Sequence, residues 1–498
     1  MEYIVAREEE KHGEAADIIV IPQIVTLYLH NMPKLRSFCQ GKYILEWPSL
    51  KEFIVEDCKA VEVILGNASR TLEGSVSMQR PLLLVEKVEF PNMELMKILR
   101  MDNMEKIWLD DPASNAFSKL KTLEVQYCDK LSSIFSSYTM LTRFQNLEKI
   151  VVTNCESLEV VFHIQEFNFS EAHSTSTFLL RELVLMWLPK MKHVWSGFCQ
   201  GGLSFRSLRY MQVIECGSLK NLFLSLVAKS MTGLEELVVQ SCGVEQIIIE
   251  EDGVGMSTSN LFFPGLTNLT LLELPELRSF YENSHTSTWP HLKELRVRHC
   301  GKMRSFSSAC EIQSCQGTTM NGYQPAIFSP EKVIPHLEEL TLVREDIEML
   351  QHYFFGNLKD LALGWYHDEN VAFPSNFLLH GFPNLELLSV ICSSFEEVFP
   401  EDASGHREST PCEGPTNVEK PLKALGNLKQ LELLNLWNLK QFVNRASIPD
   451  FIREIKAVRS KGLRWFSSYG DLLSSDKFDA PYLANPKKLR YDGRCGNG

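Results

Sequence analysis

Leu120-x-x-Leu123-x-Val125-x-x-Cys128-x-x-Leu131-x-x-Ile134 is a frame that returns 27 residues later as Leu147-x-x-Ile150-x-Val152-x-x-Cys155-x-x-Leu158-x-x-Val161. The same spacing fits Leu208, Met211, Val213, Cys216, Leu219 and Leu222, and again Leu292, Leu295, Val297, Cys300, Met303 and Phe306. Fourteen units share it, starting at Ile24, Leu50, Met93, Leu120, Leu147, Leu180, Leu208, Leu234, Leu266, Leu292, Leu337, Leu358, Leu385 and Leu428. Most spacings run from 26 to 33 residues, and longer ones follow Leu50, Leu292 and Leu385. The unit at Leu358 loses the frame after Leu363.

A period in the twenties built on L-x-x-L-x-L-x-x-C is the sequence pattern of a leucine-rich repeat. Within x-L-x-L-x, side chains alternate between two faces, so the leucine-type residues point inward and their neighbours outward. Successive strands then pair in parallel about 4.8 Å apart. No unit can bury its apolar face alone, so neighbours supply the stability. The expected fold is an α/β leucine-rich-repeat solenoid. One short parallel strand per repeat lies on the concave face, with loops and short helical turns on the convex side. Leu123, Val125, Ile150, Val152, Leu183, Leu185, Met211 and Val213 are its expected core.

A second period lies above the first. Met101, Leu188 and Leu274 replace Cys at the turn, in units whose starts are 87 and 86 residues apart. This reads as a duplicated three-repeat module. Trp108, Trp195 and Tyr281 share one phase of it and should close the convex side. The stretches Gln165 to Thr177, Glu250 to Asn260 and Glu401 to Pro421 are rich in Ser, Thr, Gly and acid, and read as solvated loops.

The net charge of −13 argues against a general nucleic-acid surface. Of the 13 cysteines, Cys58, Cys128, Cys155, Cys216, Cys242 and Cys300 occupy the turn, where a small buried thiol fills space. Their odd total and lack of zinc-type spacing suit reduced thiols in the cytoplasm. No basic, apolar N-terminal signal and no run of 18 apolar residues is present, so no membrane span is expected. G-x-x-x-x-G-K-[ST], H-E-x-x-H, G-x-S-x-G and G-x-G-x-x-G are all missing. The expectation is a non-enzyme with no catalytic residue, metal ligand or cofactor.

Function then falls to the outward strand positions. Val151, Val184, Met186 and Ile214 would together make an exposed apolar patch, which often marks protein contact. Trp187 follows a strand, where it either faces the concave side or serves as a partly buried turn residue. The residues selected for partner binding on the concave face are Met186, Trp187, Tyr210, Gln212, Ile214, Glu236, Gln240, Arg296 and Arg298. They sit on adjacent strands, and aromatic and Arg residues often dominate binding energy.

The ends differ from the middle. Residues 1–23 read as a partial repeat with its acidic loop, as though the chain were the C-terminal part of something longer. Residues 24–445 form the solenoid, and 446–498 a tail. Ser447 as N-cap, Pro449 in the first turn, and Phe451, Ile455 and Val458 near helical spacing predict a capping helix over 449–461.

Segments such as FQNLEKIVVTNCESLEVVF, LRELVLMWLPKMKHVW and FRSLRYMQVIECGSLKNLF resemble the repeat region of plant coiled-coil nucleotide-binding leucine-rich-repeat disease-resistance proteins. The resemblance runs from Glu2 to about Asn444. It implies a module of innate immunity that senses pathogen effectors, or host proteins altered by them, with nucleotide-binding and coiled-coil domains upstream. The phosphate-binding loop of that family is missing, so its ATP binding does not carry over. The other reading is a repeat adaptor that selects substrates for a ubiquitin ligase. That would want an F-box-like helical segment before the repeats, and the sequence shows none.

Overall fold

The structure is a computed structural model that describes residues 2–5, 17–39, 43–66, 82–84, 90–108, 117–141, 143–163, 176–196, 203–250, 262–281, 289–300, 302, 336–343, 355–364, 381–391, 397–399, 427–434, 436, 441–443 and 454–458. The chain divides into two units near Glu338.

In the first unit, five-residue strands pair side by side in the order Thr26–His30, Glu52–Glu56, Leu95–Leu99, Thr122–Gln126, Lys149–Thr153, Glu182–Met186, Tyr210–Ile214, Glu236–Gln240, Asn268–Leu272 and Glu294–Arg298. Every pairing is parallel and in the register that the frame dictates: Leu123 lies beside Ile150, Ile150 beside Leu183, Leu183 beside Met211. All eight residues expected in the core have no exposed surface. The α/β leucine-rich-repeat solenoid is therefore the fold.

The opposite side carries more strand than expected. Short parallel ladders form there from Ser133–Phe135, Val160–His163 and His193–Ser196, and from Asn221–Leu224, Gln246–Ile249 and Ser279–Tyr281. Only two short helices occur among the described residues, Tyr138–Leu141 and Ser225–Ser230. Their starts are 87 residues apart, the spacing of the three-repeat module. Trp108, Trp195 and Tyr281 are buried at equivalent points of this side.

A further aromatic column lies three residues before the frame leucine. Phe90, Phe117 and Phe144 stack with centroids 5.7 and 5.3 Å apart. Phe205, Phe263 and Trp289 hold the same place in later repeats and are likewise buried. Repeats that carry this ring turn toward the strand through a tight bond such as Leu120 N–H to the Phe117 carbonyl, 3.1 Å. Filling this column with rings thickens the core and fixes the distance between rungs.

In the second unit, Glu339–Val343, Asp360–Gly364, Leu387–Ile391, Gln430–Leu434 and Glu454–Val458 form a parallel sheet in that order. The last strand corrects the expected helix over 449–461. Ile455 lies beside Leu431 and Ala457 beside Leu433, so the chain adds another rung where a cap was read. Pairing with a preformed neighbour outweighs a helical spacing of only a few residues. Most of the three acidic loops, and Met303 and Phe306, lie outside the described residues.

Candidate recognition surface

Each strand of the first unit up to Glu294–Arg298 is left through one residue with left-handed backbone: Asn31, Asp57, Arg100, Tyr127, Asn154, Trp187, Glu215, Ser241, Glu273 and His299. This conformation is uncommon outside glycine and an outlier for bulky side chains, though Asn and Asp tolerate it. Its recurrence shows that the fold imposes it. From Asn31 to Glu273, each N–H bonds to the last strand carbonyl of the next rung: Tyr127 to Thr153 at 3.0 Å, Asn154 to Met186 at 2.9 Å, Trp187 to Ile214 at 2.9 Å. These bonds continue the ladder by one residue and turn the chain toward the buried Cys or Leu.

The thiols that follow are held from two sides. Cys242 Sγ lies 3.7 Å from the Val213 carbonyl of the previous rung and 3.1 Å from that of Gln240. Cys128 and Cys300 make the same pair of contacts. A hydrogen bond with Cys155 and then burial raise the Cys128 thiol well above its ordinary range, and Cys242 and burial do the same for Cys216. Neutral, buried thiols of this kind pack; they do not react.

The outward strand positions are less open than alternation suggests. Gln212 and Arg298 each retain 2% exposure, Ile214 7%, Val184 8% and Val238 9%. Neighbouring side chains on a concave sheet crowd one another and leave the centre covered. The expected exposed patch of Val151, Val184, Met186 and Ile214 is therefore not present as such: Val184 and Ile214 are buried, while Val151 and Met186 are half-buried. Among the selected residues, Gln212, Ile214 and Arg298 present little to a partner. Met186, Tyr210, Glu236, Gln240 and Arg296 are half-buried, and Arg296 pairs with Glu294 on its own strand.

Trp187 stands apart, at 46% exposure on the strand-exit margin. Tyr127, at 47%, occupies the same position two rungs earlier, with Asn154 between them. Sequence reasoning missed Tyr127. The column of Asn31, Asp57 and Asn154 one residue after each strand was the signal that could have found it, because those residue types favour left-handed backbone.

Near the start of the ladder, Glu56 collects three donors. Tyr28 Oη donates to its carboxylate at 2.6 Å, with His30 Nδ1 at 3.1 Å and Arg100 at 3.0 Å. The Tyr28 hydrogen bond is the largest influence on the Glu56 carboxyl and outweighs the opposing effect of burial; with the lesser help of His30 and Arg100 it holds the group below its usual range.

Residues 92–243 match the family described as plant disease resistance protein RPS2-like, leucine-rich repeats. The repeats over this stretch are similar to those of plant disease-resistance proteins. The matched residues contain Tyr127, Asn154 and Trp187 and the strands that position them. A probable disease resistance protein of Arabidopsis thaliana is 29% identical over 134 residues, which is 27% of this chain and 14% of that protein. The chain thus matches a small part of that relative's length. A solved structure titled as a TLR13–ssRNA13 complex is similar at 13% identity, covering 81% of this chain and 59% of that one, with a TM-score of 0.41. No helix among the described residues is long and apolar enough to cross a membrane.

Proposed function

We propose that this chain is a non-catalytic protein-recognition module of plant innate immunity, acting in the cytoplasm. Its partner is a pathogen effector or a host protein altered by one. The similarity of residues 92–243 to disease-resistance repeats supports the immune role. The observation that carries the recognition reading is the exposed aromatic pair Tyr127 and Trp187 on a rigid hydrogen-bonded margin within those repeats. Large aromatic side chains on a fixed scaffold bury much area at little entropic cost on binding. The half-buried Met186, Tyr210, Glu236, Gln240 and Arg296 extend the same surface inward.

The test compares the wild-type chain with a Tyr127→Asn/Trp187→Asn variant as bait in infected and uninfected leaf tissue. Asn suits the left-handed backbone, so the variant removes the rings while keeping the rung. An infection-dependent partner retained by wild type and lost by the variant supports the reading. Equal retention by both moves recognition elsewhere.

A further inference from the structure

Tyr127, Asn154 and Trp187 occupy three successive rungs, each with a φ of 55°. Identical backbone conformation on a register-locked ladder gives parallel Cα–Cβ directions. The Cβ atoms that carry the two exposed rings are thus two rung spacings apart, about 9.6 Å. That distance selects among the shapes a peptide can take. A polyproline II segment repeats every three residues at about 3.1 Å each, which places like-facing residues about 9.3 Å apart. An α-helix returns to the same face at about 10.5 Å after seven residues. A β-strand presents one face at multiples of about 6.7 Å, and none of these falls near 9.6 Å.

The chemistry agrees with the spacing. Polyproline II has no internal hydrogen bonds, so its carbonyls are open to donors. The Trp187 indole N–H and the Asn154 amide supply such donors between and beside the rings. Aromatic rings also form the grooves that take proline-rich segments elsewhere. One rung beyond Trp187, the exposed Glu215 places a carboxylate on the same margin. We infer that the strand-exit margin Tyr127–Asn154–Trp187–Glu215 is a docking ledge for a proline-rich segment of a protein partner, two prolines three residues apart seating on the rings and a flanking basic residue meeting Glu215. This rests on the recognition role proposed above and names the shape it recognises.

The test uses the full chain and a decaproline peptide with arginine at both ends, against a Gly/Ser peptide of equal length and charge. Calorimetry reads affinity, and acrylamide quenching reads protection of the exposed Trp187 without any substitution. Saturable decaproline binding up to about 1 mM is expected, with none for the Gly/Ser peptide. Tyr127→Asn and Trp187→Asn should each weaken it at least about tenfold, and Glu215→Gln about threefold, with far-UV spectra unchanged. Equal binding of the two peptides, or binding indifferent to both ring substitutions, overturns the proposal. So does protection of no tryptophan. Retention of the leaf partner that still depends on both rings, without decaproline binding, would reject the ledge's peptide shape while leaving the recognition role standing.

Discussion

Gly243 allows the sharpest test of how tightly the rungs are stacked. A Cβ built on it would lie 2.1 Å from the Gly217 carbonyl oxygen and 3.0 Å from its carbon, both backbone atoms of the preceding repeat. The same residue's N–H bonds to the Cys216 carbonyl at 3.3 Å, so neither strand exit can withdraw without loosening a contact. Ordinary contact starts beyond about 3.4 Å, so Gly243→Ala forces a displacement of roughly 1 Å, and overpacking of this kind costs about 1–3 kcal/mol. Gly217 is the internal control. Its own Cβ would meet nothing within 4 Å, so Gly217→Ala should stay within about 0.5 kcal/mol of wild type. In urea, followed by far-UV dichroism, the midpoint of Gly243→Ala should fall by about 0.5–1.5 M for a slope near 2 kcal/mol/M. Gly233→Ala should behave alike, since its Cβ would lie 2.2 Å from the Arg206 carbonyl. Identical midpoints for Gly243→Ala and Gly217→Ala would refute the stacking argument.

Leu183→Asp puts an unpaired carboxylate between Ile150 and Met211, all fully buried, and should cost more than about 4 kcal/mol; an unchanged melting curve would contradict the core assignment. Native alkylation followed by mass spectrometry should leave Cys39, Cys58, Cys128, Cys155, Cys216, Cys242 and Cys300 unlabelled, because all are buried and burial pushes Cys39 up to about 11. Labelling of Cys128 or Cys216 at the rate of a free thiol would show that the rungs open. Because the folded pKa of Glu56 is lowered, its contribution to stability is present above the unfolded carboxylate value of about 4.3 and is lost as pH falls through the folded value. The hydrogen-exchange protection factors of Tyr28 to His30, taken relative to the intrinsic rate at each pH, should therefore fall on acidification, and Tyr28→Phe should shift the onset to higher pH; no shift would remove Tyr28 as the main cause.

The strand frame was fully legible because it depends on alternation and neighbour pairing, both written locally. Leu183 and Leu185 could be assigned inward with no knowledge of their partners. Gln212 could not be assigned as covered. Its outward direction follows from alternation, but its burial depends on Val184 and Val238 beside it and on how closely rungs approach. The helix expected over 449–461 failed for a related reason. Ile455 and Ala457 also alternate, and an existing strand edge at Gln430–Leu434 decided between the two patterns. Trp187 was selected for its residue type, while Tyr127 was passed over because the left-handed column was not recognised as one position. The stacked phenylalanines three residues before the frame residues Met93, Leu120 and Leu147 are visible in the sequence, yet their role emerges only once rungs are superposed.

The left-handed column also bears on how such a chain can change over generations. Arg100, Trp187 and Glu273 occupy equivalent points of successive copies of the three-repeat module, and all have φ between 52° and 55°. The same conformation is held by a cation, an indole and an anion. The fold at these sites fixes a direction in space and leaves the chemistry open. Unequal crossing-over between modules would shuffle whole rungs in register, trading one exposed side chain for another while the chain keeps its fold. A lineage could thus sample new surfaces one residue at a time, at the positions where a new occupant disturbs its neighbours least.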